Sequence, residues 1–245
     1  MTTAQYDNLL VKWEAQASGI PAMTPTFGTS TYTGGSAAAT AHASLNNTYG
    51  WSIGDSGIEP SAFISVWATT AEDETITIPT QNIGTFNAVV DWGDGTVETI
   101  TTYNGFSHEY AAIDDYTISI TGVFPSIYMN GSASSTKLKQ VTNLGTVGWT
   151  ALNNAFYGCT NLTSFVSGSC DTSTVQNLQQ MFNGCIGLVT ADVSGLDTSS
   201  VSNMVYTFSN CQALTSMVGV EDWDITGLNG TGDLTNFLTV GKMTT

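Results

Sequence analysis

The chain has 245 residues, and its 20 acidic side chains face four lysines and no arginine, for a net charge of −16. Such a surface repels phosphate backbones and anionic bilayers, so nucleic-acid binding and membrane-surface attachment are excluded as primary functions. No apolar run reaches spanning length, so no membrane insertion is expected. Charged residues make up only 10 % of the sequence, so Ser, Thr, Asn and Gly must cover most of the surface, a composition that suits an extracellular location. Met1-Thr2-Thr3-Ala4-Gln5 does not open a signal peptide, and any export signal is expected outside this sequence.

Residues 4–16 place Tyr6, Leu9, Leu10 and Trp13 on one helical face, and Pro21 and Pro25 end the pattern. A short strand at Thr26–Tyr32, a second helix from Ala37 to about Asn47 with Ser36 as its N-cap, and a strand at Trp51-Ser52-Ile53 follow. This segment, 1–60, is too small to stand alone comfortably, so its apolar helix faces are expected to pack against something else.

Residues 61–129 change to alternation with period two. Ile64–Trp67, Thr75–Ile78, Ala88–Trp92, Val97–Ile100 and Tyr116–Ile120 are five predicted strands, spaced as in a small β-sandwich. Asp91-Trp92-Gly93-Asp94-Gly95-Thr96 reads as a tight turn between two of them. That string, with His108-Glu109-Tyr110 and Asp115-Tyr116-Thr117-Ile118, resembles the polycystic-kidney-disease (PKD) type of immunoglobulin-like domain. The resemblance implies that His108 packs and hydrogen-bonds beside the turn. Residues Pro125 to Asn143 then connect, without a flexible linker, to the next region.

In 130–245 one pattern recurs. Phe156-Tyr157-Gly158-Cys159, Phe182-Asn183-Gly184-Cys185 and Phe208-Ser209-Asn210-Cys211 lie 26 residues apart, with Leu152, Leu178 and Met204, and Asp171-Thr172-Ser173 and Asp197-Thr198-Ser199, in step. A period in the twenties marks a leucine-rich-repeat solenoid whose turns stack to share a core. Within a turn, Leu162 to Phe165 (then Leu188 to Ala191 and Leu214 to Met217) reads as a strand, and Val175 to Phe182 as a short helix or 3₁₀ turn on the opposite wall. Cys159, Cys185 and Cys211 are expected to form a buried, reduced ladder without metal, because neither His42 nor His108 lies in the repeat; Cys170 stands off the ladder, either buried or solvent-facing. The unit resembles the leucine-rich repeats of BspA-like bacterial surface proteins. Its last turn departs from the pattern: Glu221-Asp222-Trp223-Asp224 and the Gly-rich 227–232 intervene, and Phe237 comes 29 residues after Phe208. In BspA-like proteins a segment similar to Tyr6–Trp13 and Gly35–Ala41 follows the last turn and closes it; here it precedes the repeats.

The expected fold is therefore modular and mainly β with short helices: a cap-like α/β segment (1–60), a PKD-type Ig-like β-sandwich (61–129) and a short leucine-rich-repeat solenoid (130–245). No catalytic constellation is found, so the chain is not expected to be an enzyme, and no cofactor is expected. Asp91 and Asp94 are the only calcium candidates, with a purely structural turn as the competing reading. Glu72-Asp73-Glu74 and Asp114-Asp115 read as solvated surface. Trp67 and Trp223 are the two candidates for stacking against sugars. The expected function is structural: an extracellular, cell-surface repeat protein that assembles head to tail into a filament and acts by adhesion to surface glycans or host-surface proteins. Alternatives are a phage or virion fibre or capsid-decorating protein, and a carbohydrate-binding module. Met-Thr-Thr stands at 1–3 and again at 243–245, which suggests a tandem unit of 242 residues. Segment 1–59 of one unit would then cap the solenoid of the preceding one through Tyr6, Leu9, Leu10, Trp13, Phe208 and Phe237.

Overall fold

The computed structural model describes residues 1–33, 37–56, 60–228, 230 and 233–240. Two helices open it. Helix α1 spans Thr3–Glu14, and a capping box starts it: the Thr2 hydroxyl accepts from the Gln5 N–H while the Gln5 side chain accepts from the Thr2 N–H. Helix α2 spans Ala37–Asn47; its expected N-cap, Ser36, lies outside the described residues, as does Gly57. The helices bury their apolar faces against each other and against the chain around them. Tyr6, Leu10, Ala17, Tyr32, Ala38, Ala41, Leu45 and Trp51 form one core, flanked by Leu9, Trp13, Phe27 and Ile53. The strands expected at Thr26–Tyr32 and Trp51–Ile53 reduce to isolated bridges, Thr26 with Gly54 and a further one at Tyr32. Backbone bonds still join these two stretches, from Ser52 to Met23, Gly54 to Pro25 and Phe27 to Gly54, and side-chain packing between the helices gathers the rest.

The rest of the chain is dominated by strands: β1 (Phe63–Ala68), β2 (Glu74–Thr77), β3 (Asn87–Asp91), β4 (Val97–Ile100), β5 (Ser107–Tyr110), β6 (Asp115–Val123), β7 (Leu138–Asn143), β8 (Ser164–Val166), β9 (Thr190–Asp192), β10 (Phe208–Cys211), β11 (Ser216–Val218) and β12 (Leu238–Val240). All five strands expected between 61 and 129 are present, and β5 joins them; Ser-His-Glu-Tyr is too polar to announce itself by hydropathy. One mixed sheet runs in the order β11-β9-β8-β7-β1-β6-β3-β4, while β2–β5 and β10–β12 are separate pairs.

The joint lies at β1. It pairs antiparallel with β6 on one side and with β7 on the other, Ser65 facing both Ile118 and Val141. From β7 onward the pairing is parallel, with Gln140, Ser164, Thr190 and Ser216 in one row. The boundary expected between 129 and 130 therefore falls inside a single core that extends from Phe63 to Leu214. Phe63 packs on Phe124 at 5.9 Å and meets Trp149 edge-on at 5.6 Å. Gly145 (φ 74°) admits the close approach of the two regions, since a Cβ there would lie 2.4 Å from the Ala62 carbonyl carbon.

The repeats stack turn upon turn. Their strands begin two residues later than expected, at Ser164, Thr190 and Ser216. Of the helix or 3₁₀ turn expected at Val175–Phe182 no helix forms; the stretch ends in turns in which Met181 donates to Leu178 and Asn183 to Gln180. Leu178, Gln180 and Phe182 donate their N–H groups across to Asn203, Val205 and Thr207 of the next turn, and Gln180 adopts φ 56°. The apolar spacing of Leu178, Met181 and Phe182 comes from a turn that faces the core and pairs with its neighbour, a periodicity that mimics a helix over one turn.

Candidate assembly surfaces

Each turn presents the same side chains to the next. Phe156 and Phe182 stack at 5.4 Å and 21°, and Phe182 and Phe208 at 4.9 Å and 13°. Cys159, Cys185 and Cys211 are free and fully buried beside them. The thiol of Cys185 donates to the Phe156 carbonyl at 3.1 Å and that of Cys211 to the Phe182 carbonyl at 3.2 Å. Cys170 is also buried and donates to Gly195 at 3.0 Å. Burial pushes all four thiols up, Cys170 and Cys211 to about 12, so they sit as inert core groups. No group of three or more His, Cys, Asp or Glu converges among the described residues.

The stack ends differently from the way it runs. Phe237 meets Phe208 edge-on at 5.7 Å, and Trp223 lies 6.0 Å from Phe237. Among the described residues β11 pairs only with β9, and β12 only with β10, so both ladders finish here on an open edge. Beside the two rings is a groove of about 430 Å³ lined by Ile225, Leu228, Gly230, Asp233, Leu234 and Thr235. Ile225, Leu234 and the nearby Val218 are 56 %, 47 % and 50 % exposed. Glu221, Asp222 and Asp224 rim this end and are exposed.

The residues expected to cap such an end divide into two groups. Tyr6 and Leu10 are wholly buried in the core of the helical segment, and Phe208 is wholly buried in its own stack. None of these three is available to another surface; each is consumed by packing within its own part of the chain. Leu9 and Trp13 are partly buried on the rim of the helical core, and Phe237 is partly buried at the end of the stack. The two sets share no apolar cluster. In the helical segment Val11, Ile20 and Met23 are each at least 40 % exposed, and Lys12 is exposed too.

The Asp-Trp-Gly-Asp-Gly turn joins β3 to β4. Asp91 accepts from the Gly93 N–H at 3.0 Å and Asp94 from the Thr96 N–H at 2.9 Å, so each carboxylate fastens the turn itself. Gly93 (φ 84°) is required there, since a Cβ would lie 2.5 Å from the Thr117 carbonyl oxygen. His108 stacks on Trp92 at 5.1 Å, and its Nε2 lies 2.8 Å from Asp94. Burial raises the Asp94 pKa, but the hydrogen bonds from His108 and Thr96 outweigh it and hold the carboxyl below its usual range. The Tyr110 hydroxyl donates to the Trp92 carbonyl at 2.8 Å. Trp67 is wholly buried and cannot stack on a sugar, because it faces the core from the central strand β1; Trp223 is partly buried and donates to the Val193 carbonyl at 3.4 Å.

Among the described residues no helix is long and apolar enough to cross a membrane. Residues 127–236 match a family model described as Mycoplasma protein of unknown function, DUF285. The matched span opens at the first stacked turn and closes in the last. No curated protein and no solved structure matches the chain.

Proposed function

We propose that this chain is a non-catalytic structural protein of a cell surface that assembles head to tail with copies of itself, the helical segment of one copy covering the open end of the stack in the preceding one. In this reading residues 130–245 are a leucine-rich-repeat solenoid of the BspA-like kind, 61–129 a PKD-type Ig-like sandwich fused to it, and 1–60 a capping segment. The observation that carries the reading is the end of the stack, where among the described residues two ladders end unpaired and Ile225 and Leu234 of a neighbouring groove are exposed. Repeat stacks need a polar terminal cover to stay soluble, and this end has none among the described residues. A contact between two different surfaces of one protein builds a ring when its rotation closes and a filament when it does not, and the filament is the form proposed here.

The helical segment offers a complementary surface. Val11, Ile20 and Met23 are exposed, as is Lys12, and residues 221–233 carry Glu221, Asp222, Asp224 and Asp233. Since Tyr6, Leu10 and Phe208 are committed elsewhere, the contact would run through Leu9, Trp13 and these exposed neighbours on one side, and Phe237, Ile225 and Leu234 on the other. Sedimentation velocity over a concentration series tests this: the mass should rise with concentration, and Ile225→Asp combined with Leu234→Asp should return the protein to monomer. A zero-length carbodiimide cross-link should join Lys12 of one copy to an acidic residue of 221–233 in another. A protein that stays monomeric at its solubility limit, with no such cross-link, would overturn the proposal.

A further inference from the structure

The helical segment contains a chain of hydrogen-bonding groups that runs in one direction. The Ile53 N–H donates to Asn46 Oδ1 at 3.4 Å, which orients the Asn46 amide, because a backbone N–H has no acceptor form. Asn46 Nδ2 then lies 3.2 Å from His42 Nδ1. An amide N–H can face only an unprotonated ring nitrogen, so Nδ1 accepts and the ring proton sits on Nε2. That nitrogen is 3.1 Å from Asp55 Oδ2. The Tyr6 hydroxyl donates to the same oxygen. Tyr32 stacks on the His42 ring at 4.5 Å and 24°.

We infer that His42 is an acid-sensitive latch: the arrangement accepts only the neutral ring, and protonation of Nδ1 uncouples α2 from the 51–56 segment that Asn46 and Asp55 hold. A proton on Nδ1 would face the Asn46 N–H groups. Flipping the amide to receive it would turn those same groups on the Ile53 N–H. Neither orientation satisfies both neighbours, and a buried polar group left without a partner is costly. The groups that face the ring from other elements are Asp55, Tyr6 of α1 and Tyr32. The nearby Asp7 and Glu14 of α1 are engaged by Thr33 (2.9 and 2.6 Å) and Ser44 (2.9 Å), and Tyr32 also feels Asp171. Burial of the ring lowers its pKa below the ordinary 6.5, against the pull of Asp55. The unfolded segment therefore binds more protons than the folded one as pH falls through 6.5, and stability is lost in that direction.

The chain has only two histidines, so their ring signals can be followed directly by NMR, with His108→Gln to assign them. His42 should titrate below 6.5. Amide exchange in peptides from 1–56, corrected for the intrinsic effect of pH, should quicken between neutral pH and pH about 5, while peptides from 63–211 stay unchanged. His42→Gln should abolish the acid response and Asp55→Asn should retain it. A His42 that titrates at or above 6.5, or exchange in 1–56 that ignores pH in the wild type, would overturn the latch. So would a response that survives His42→Gln and vanishes in Asp55→Asn. These measurements are made on the monomer and do not depend on head-to-tail assembly.

Discussion

The hydroxyl of Thr172 joins two successive turns through both of its functions: it donates to the Asp197 carbonyl at 3.0 Å and accepts from the Asp197 N–H at 2.8 Å. Thr198 repeats the donation to Asp224 at 3.0 Å, one turn on. Both threonines are buried. The Asp-Thr-Ser element thus recurs because the buried threonine of each copy satisfies the backbone of the next turn. Replacing Thr172 by Val keeps the shape and orphans both groups of Asp197, so urea denaturation should show a loss of about 1–3 kcal/mol. Thr150→Val, at an exposed position whose hydroxyl reaches Pro125 at 3.3 Å, should stay within about 0.5 kcal/mol.

All four thiols should resist modification in the native protein. Ellman's reagent at pH 8 should report no reactive thiol until denaturant is added, and then all four. Cys185→Ser should cost about 1–3 kcal/mol, because a hydroxyl loses more on burial than a thiol even though the Phe156 carbonyl stands ready to accept from it.

The two glycines of the β3–β4 turn should differ sharply when each is replaced by alanine. Both have positive φ, at 84° for Gly93 and 97° for Gly95, but a Cβ at 93 meets the Thr117 backbone and one at 95 meets nothing. Gly95→Ala should cost about 1 kcal/mol of backbone strain and Gly93→Ala clearly more, read from thermal melts of the two variants.

Glu74 gives a pH dependence of opposite origin to that of His42. The Lys137 ammonium, aided by the Thr70 N–H, holds the Glu74 carboxyl at about 2 against an ordinary 4.5. Its folded pKa is depressed, so the stabilisation is present above 4.5 and fades as pH falls from there toward 2. The pair is partly solvated, so Glu74→Gln should cost under about 1 kcal/mol at neutral pH. It should also flatten the stability profile across that acid range, as measured by urea denaturation at successive pH values.

Local pattern sufficed wherever a residue's partners repeat or lie nearby. The 26-residue step of Phe156, Phe182 and Phe208 announced stacked turns, because identical neighbours bury identical side chains. Period-two alternation placed β1, β2, β3, β4 and β6, and the spacing of Tyr6, Leu10 and Trp13 placed α1. Tertiary structure decided what depended on distant partners. Whether β1 joins a separate sandwich or the repeats was settled by its second edge finding β7, which no property of Phe63–Ala68 encodes. The turn at Leu178–Phe182 carries helical spacing, yet its N–H groups find carbonyls one turn away, so the helix does not form. His42, Asn46, Ile53, Asp55 and Tyr6 meet across three segments with no motif between them, because only the packing of α1 on α2 brings those groups within hydrogen-bonding reach.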